Sequence, residues 1–165
     1  FPSRLGCLVT SFSSHATGHP LMMITLIPIN SLGACMKGVV RWTGGEGLEG
    51  ENEHGAKMPM HTEDSPNPVQ MVLLAHGGCT LLDVVVGLKH RMENVRDMWI
   101  ELDADRREES PRKFTAVRMR YVIEGDVPTK LVERIIEQSH AKLCTVGAMV
   151  TGAGATLDWK LEIRP

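Results

Sequence analysis

Aromatic residues are scarce in this chain: phenylalanine, tryptophan and tyrosine together make up 4% of its 165 residues. Proteins that bind single-stranded nucleic acid commonly stack bases on such rings, so the scarcity argues against that class of ligand. The formal net charge is −2, which gives no indication of a basic surface for nucleic acid or an anionic membrane. We therefore expect neither nucleic acid nor a membrane among its partners.

The cysteines lack the spacings of the common metal and redox motifs. There are four, Cys7, Cys35, Cys79 and Cys144, and they form no C-x-x-C sequence and no paired zinc motif. They are too sparse for the disulfide framework of a small secreted domain. A phosphate-binding loop, a dinucleotide fingerprint and a Ser/His/Asp pattern are lacking as well. We expect a reducing compartment, the cytoplasm, and neither a cofactor nor a bound metal.

Acidic residues are absent from the first 45 positions. The start of the chain is rich in serine and poor in acids, as in a transit peptide, although it carries one Arg within 20 residues. The apolar run at 21–35 is too short to span a bilayer. We interpret residues 1–35 as a leader or N-terminal extension and residues 36–165 as the folded domain. If the leader is a targeting signal, a mitochondrial location is the alternative.

Residues 36–165 have the pattern of an α+β domain. Alternating polar and apolar residues predict strands at 36–43, 48–53, 56–62, 98–108, 113–125 and 155–163. Apolar residues at helical spacing predict helices at 69–93 and 128–141, and a short one opening at Cys144. Asn67 is a candidate N-cap with Pro68 at the first helical position. The middle of the first helix is apolar on nearly every face, so it should be buried inside the domain.

Two cysteines, 65 residues apart, are the candidates for chemistry: Cys79 in the long helix and Cys144 at the start of a later one. A cysteine near a helix N-terminus or a cation gains nucleophilicity, and two adjacent thiols can alternate between dithiol and disulfide. Free cysteine is also among the most buried residue types, so both could be inert core residues.

Polar and small residues surround Cys79 on its helix. His76 at i−3 and Asp83 at i+4 lie on neighbouring parts of one helical face. This spacing allows a thiolate tuned by a histidine and an acid, a metal site, or a satisfied core histidine, although zinc would need a further ligand that the sequence does not indicate. Gly77 and Gly78 each cost about 1 kcal/mol in a helix relative to alanine, so close packing or open space for a substrate must account for them.

These residues together resemble the OsmC/Ohr family of thiol peroxidases. The matching features are S-P-N-P-x-x-x-x-L-x-A-x-G-G-C-T at 65–80, the separation of 65 residues between the cysteines, and L-C-T-V at 143–146. The resemblance covers residues 36–163 and is nearest to the OsmC-like subgroup. It implies antiparallel sheets around long central helices, in an intertwined homodimer with two active sites at its interface.

The resemblance also implies a mechanism. Cys79 attacks the O–O bond of an organic hydroperoxide and becomes a sulfenic acid, and Cys144 condenses with it to form a disulfide. An external dithiol then reduces the pair by thiol–disulfide exchange.

Two positions depart from the family pattern. Family members place an Arg after the Gly-Gly turn of the first strand, where this chain has Glu46, and a Glu ten residues before the first cysteine, where it has Val69 beside Gln70. An acid in place of that cation would raise the pKa of a nearby thiol. We therefore expect Arg41, on the same strand, to act as the catalytic cation.

The predicted site thus combines Cys79, Cys144 and Arg41 as catalytic residues with His76, Gln70 and Glu46 as substrate-binding residues. The missing Arg and Glu leave a second function open: a binding protein of the same fold, with inert cysteines and an apolar interface pocket for a small molecule. A third is a structural metal site at His76 and Cys79. The paired cysteines favour the thiol-dependent peroxidase.

Overall fold

The computed structural model describes residues 36–165, which fall into two compact units divided after Pro59. The first unit comprises residues 36–59 of this described part, and the second comprises residues 60–165. The proposed leader, with Cys7 and Cys35, lies outside the described residues.

The order of elements confirms the predicted β-β-β-α-β-β-α-α-β sequence. The strands are β1 (Gly38–Gly44), β2 (Gly47–Asn52), β3 (Lys57–Met60), β4 (Val95–Arg106), β5 (Phe114–Gly125) and β6 (Thr156–Arg164). The α-helices are α1 (Pro68–Gly87), α2 (Thr129–Gln138) and α3 (Thr145–Gly152). A 3-10 turn at Met92–Asn94 and a π-helical turn at Ser139–Leu143 complete the described chain.

The first unit is an antiparallel ribbon. β1 pairs with β2 from Gly38 opposite Asn52 to Gly44 opposite Gly47, and β3 lies beside β2. Gly44 and Gly45 turn the chain with φ angles of 113° and 55°, a region that favours glycine. Every residue of β1 is exposed.

The second unit contains a three-stranded sheet in the order β4-β5-β6. β4 and β5 form a long antiparallel hairpin, from Val95 opposite Gly125 to Arg106 opposite Phe114. β6 runs parallel to β5, so the prediction of antiparallel sheets is wrong for this pair. The physical reason is the connection: α2 and α3 carry the chain back between β5 and β6, and such a crossover brings the next strand in with the same direction.

Helix α1 begins as predicted and ends early. Asn67 Oδ1 accepts hydrogen bonds from the backbone N–H groups of Val69 and Gln70, and Gln70 Oε1 accepts from the Asn67 N–H, which closes a capping box. The helix ends at Gly87 instead of continuing to residue 93. Gly87 is the sole stop signal there, and the sequence cannot distinguish it from the glycines inside the helix.

One side of α1 packs on the sheet and on α2. The buried core combines residues of α1, β5 and α2, among them Val84, Tyr121, Val132 and Ile136. A Cβ placed at Gly77 would lie 2.7 Å from Leu102 Cδ1, so this glycine allows the helix to approach β4 closely. No described atom lies within 4 Å of a Cβ placed at Gly78, so the two adjacent glycines have different surroundings.

The opposite side of α1 is exposed, contrary to the expectation that the helix is buried inside the domain. Val72, Leu74, Leu82 and Val86 are 44–61% exposed, because no described element packs on this side. Among the described residues, α1 is the one helix whose length and mean hydropathy would suffice to cross a membrane, a test that core helices of soluble proteins also pass.

The glycines of α1 give a matched pair of substitutions. We expect Gly87→Ala to lower the free energy of unfolding by about 1–3 kcal/mol, because the new methyl would meet three atoms of Ile135 at 2.7–2.9 Å. Gly78→Ala should leave it unchanged or raise it by up to about 1 kcal/mol, through helix propensity alone. Urea unfolding measures both values, and equal stability of the two variants would contradict the described packing of α1 on α2.

Candidate active site

The two cysteines sit on adjacent helices in different surroundings. Cys79 lies in the fourth turn of α1 and is half-buried, whereas Cys144 is 3% exposed. Cys144 is the N-cap of α3, where its Sγ accepts a hydrogen bond from the Gly147 N–H at 3.2 Å. Its own backbone N–H donates to Ser139 at the start of the π-helical turn, at 2.9 Å. This turn therefore positions the buried thiol.

The two cysteine side chains are neighbours, near enough for Cys79 to affect the ionisation of Cys144. Burial is the largest cause of a raised pKa at Cys144, and the neighbouring Cys79 side chain raises it further. The Gly147 N–H acts in the opposite direction, with a smaller effect. Cys144 is therefore a protonated thiol at neutral pH.

A network of hydrogen-bonded polar side chains lies near the two cysteines. Tyr121 Oη lies 2.6 Å from Thr80 Oγ1 and 2.9 Å from His140 Nε2. Ser139 Oγ lies 3.0 Å from Thr80 Oγ1 and donates to Asp83 Oδ2 at 2.7 Å. This network, Asp83–Ser139–Thr80–Tyr121–His140, joins α1, β5 and the π-helical turn. Its burial raises the pKa of Tyr121, which stays a neutral phenol.

His140 is held in this network as a neutral ring. Burial, with a smaller effect of His76, lowers the pKa of His140 to about 4. Its ring meets Tyr121 edge-on with centroids 6.1 Å apart and lies 6.4 Å from the Trp159 ring, which is itself 6.3 Å from Tyr121. His140 and Tyr121 are therefore joined by a hydrogen bond between two uncharged groups.

His76 is buried near Cys144 and does not lie on the exposed surface of α1. Its side chain is fully buried, and neither ring nitrogen has a hydrogen-bond partner within residues 36–165. A Cβ placed at Gly147 would lie 2.8 Å from His76 Nε2 and 3.1 Å from Cys144 Sγ, so ring and thiol face the same small gap. Burial lowers the pKa of His76 and keeps the ring neutral.

The remaining predicted site residues have other surroundings. Gln70 is exposed and lines a cavity of about 230 Å³ at the start of α1, while its side-chain oxygen completes the capping box. Arg41 and Glu46 lie in the first unit, where Arg41 Nη1 donates to Glu51 Oε2 at 2.7 Å. No cluster of three His, Cys, Asp or Glu side chains in the described part is placed to hold a metal, so the metal-site interpretation gains no support.

The sequence placed Asp83 near Cys79 but did not indicate Tyr121, Thr80 or Ser139 as members of the network. Tyr121, the chain's single tyrosine, lies on the buried face of β5 between Met119 and Ile123, at a position where an aliphatic residue would be expected. Thr80 follows Cys79 directly and is fully buried. A polar residue on the apolar face of a strand is the signal that could have identified Tyr121.

Comparisons with known proteins agree on one family. The sequence model of the family described as OsmC-like protein matches residues 61–160. Protein YhfA of Escherichia coli strain K12 is 34% identical over 122 residues, which span 72% of this chain and 91% of YhfA.

Solved structures share the fold. A hypothetical protein from Aquifex aeolicus VF5 is 25% identical, with a TM-score of 0.69 over 79% of this chain and 98% of that one. An OsmC-like protein from Mycoplasma pneumoniae has a TM-score of 0.68 over 81% and 99% of the two chains, at 7% identity. A Legionella pneumophila protein described as an organic hydroperoxide resistance protein has a TM-score of 0.54 over 79% and 97%, at 14% identity. The chain therefore belongs to the OsmC-like protein family, as its cysteine motif indicated.

Proposed function

We propose that this protein is a thiol-dependent peroxidase that reduces organic hydroperoxides through Cys79 and Cys144. The observation that carries the proposal is the arrangement of the thiols: a half-buried Cys79 neighbours a buried, protonated Cys144. A nucleophile that meets substrate must be accessible, whereas a resolving thiol needs access only to the first sulfur.

The chemistry runs in three steps. The Cys79 thiolate attacks the O–O bond of the hydroperoxide, which gives a sulfenic acid and, after the alkoxide takes up a proton, an alcohol. The Cys144 thiol then displaces hydroxide from this sulfur, so that a disulfide and water form. An external dithiol restores both thiols by exchange.

The exposed surface near the cysteines favours organic hydroperoxides over hydrogen peroxide. Leu143 beside Cys144 and Met149 on α3 are each more than half exposed. An alkyl or aryl group that covers such side chains gains about 25 cal/mol per Å² of apolar surface removed from water, and hydrogen peroxide has no such group.

The first test separates the roles of the two cysteines. In a Cys7→Ser/Cys35→Ser background, we expect Cys79→Ser to abolish consumption of cumene hydroperoxide. Cys144→Ser should still consume one equivalent and accumulate a sulfenic acid that dimedone traps, because no resolving thiol follows. Mass spectrometry of the trapped protein measures both outcomes. If the parent does not react while Cys79 is reduced and accessible to alkylation, the protein is not a peroxidase, and the alternative of a small-molecule-binding protein takes its place.

The second test concerns the catalytic cation. We propose that Arg41 replaces the family's Arg, because it precedes the same Gly-Gly turn and its charge is permanent. Arg41→Met should slow the reaction of Cys79 with cumene hydroperoxide about tenfold or more at neutral pH, since a nearby cation stabilises a thiolate. Stopped-flow consumption of peroxide measures the rate.

Lys57→Met is the matched control for Arg41→Met. Lys57 lies in the same unit and pairs with Glu49 at 2.9 Å, much as Arg41 pairs with Glu51. Equal rates in the Arg41→Met and Lys57→Met variants would exclude Arg41 as the activating cation.

The third test concerns assembly. We propose an obligate homodimer that buries more than about 2,000 Å² in total, because the exposed apolar side of α1 needs a cover that residues 36–165 do not supply. Leu82→Glu should shift sedimentation at micromolar concentration toward the monomer, because a buried unpaired carboxylate is costly. Gln138→Glu adds the same charge at an exposed position of α2 and should leave the dimer intact. A monomeric parent would refute the proposal.

A further inference from the structure

His76 occupies a position that ordinary packing does not explain. It is fully buried, and both of its ring nitrogens lack hydrogen-bond partners in the described part of the chain. More than about 90% of buried polar groups in proteins have such a partner, and an unsatisfied one costs about 1–3 kcal/mol. A leucine of similar volume would avoid this cost, so the ring nitrogens require a functional explanation.

A glycine lies beside both the His76 ring and the Cys144 thiol. A Cβ at Gly147 would lie 2.8 Å from His76 Nε2 and 3.1 Å from Cys144 Sγ, so a side chain there would collide with both. The glycine therefore allows the imidazole to approach the thiol at the N-terminus of α3. The thiol already accepts the Gly147 N–H, a hydrogen bond that stabilises negative charge on the sulfur.

The resolving step needs a base at this point. Cys144 is buried and protonated, yet it must lose its proton as it attacks Cys79. Of the titratable groups around it, Asp83 accepts from Ser139 and Tyr121 is a neutral phenol. His140 Nε2 is hydrogen-bonded to Tyr121, whereas its buried Nδ1 has no partner within residues 36–165. His76 is the neighbour whose nitrogens are both free of hydrogen bonds within residues 36–165.

We propose that His76 accepts the proton of Cys144 in the step that closes the disulfide. This inference rests on the proposed function, which supplies the sulfenic acid on Cys79. As Cys144 Sγ bonds to Cys79 Sγ, its proton moves to the neutral imidazole, and the S–O bond breaks. The imidazolium then protonates the departing hydroxide, so the products are a disulfide, water and neutral His76. Catalytic hydrogen bonds of this kind often form only in the reacting complex.

The inference can be tested with two oxidants. In the Cys7→Ser/Cys35→Ser protein, cumene hydroperoxide forms the sulfenic acid on Cys79, and glutathione disulfide forms a mixed disulfide on the same sulfur. Both adducts are resolved by the same attack from Cys144. Quenched-flow mass spectrometry follows the loss of each adduct. The second oxidant tests His76 even if the protein does not react with peroxide, so the two proposals fail separately.

We expect His76→Gln to slow closure from both adducts about a hundredfold at pH 7, which lies within the range that a positioned base contributes. Formation of the adducts on Cys79 should be unaffected. Closure in the variant should also accelerate about tenfold per pH unit, because it then depends on free thiolate. His90→Gln, at an exposed position after α1, should close like the parent.

The parent protein provides a test that does not require a folded variant. With His76 neutral, we expect its closure rate to stay level between about pH 6 and 9. The groups facing this site that could add a slope of their own are Cys79, Asp83, Tyr121 and His140. Three results would each overturn the assignment. The closure rate of the parent could rise tenfold per pH unit, His76→Gln could close as fast as the parent at pH 7, or neither adduct could close.

Discussion

The buried hydrogen bond between Thr80 and Tyr121 is the interaction on which the site depends. It is 2.6 Å long and connects the helix that carries Cys79 to the middle strand of the sheet. Ser139 extends it to the turn that positions Cys144. Thr80 and Ser139 are 59 residues apart in sequence. Their hydrogen bond therefore fixes the helix that carries Cys79 relative to the turn that positions Cys144.

The same network explains how one of the two buried histidines, His140, lies in an apolar interior. His140 Nε2 is hydrogen-bonded to Tyr121, and the two rings meet edge-on. Burial keeps the His140 ring neutral. His76 has no such partner and faces Cys144 across Gly147. The two histidines thus differ in hydrogen bonding. The bonded His140 has a structural role, and the unbonded His76 has the reactive role that we propose.

Local signals in the sequence were sufficient for part of this structure. The start of α1 was predictable because capping by Asn67 and Pro68 depends on adjacent residues, and alternation located the strands because it reflects burial of one face. The parallel pairing of β6 with β5 depends on where a long crossover returns, which no local pattern records. The sequence could not show which side of α1 the chain leaves exposed, because the helix is apolar on nearly every face.

The candidate site follows the same division. The spacing of Cys79 and Cys144 and their apolar helices indicated a pair, and the structure brings the thiols together. The polar groups between them come from α1, β5 and the π-helical turn, so their meeting is a consequence of the tertiary fold. His76 was recognisable as a neighbour of Cys79, but its orientation toward Cys144 depends on the packing of α3 against α1.

An equilibrium redox titration tests the central claim, that Cys79 and Cys144 form one redox unit, most directly. The full-length protein would be equilibrated in graded mixtures of reduced and oxidised dithiothreitol, alkylated, digested and mapped by mass spectrometry. The account predicts a single two-electron transition whose oxidised product contains a Cys79–Cys144 disulfide in one chain. Retention of both thiols across the series, or pairing of either with Cys7 or Cys35 instead, would contradict it.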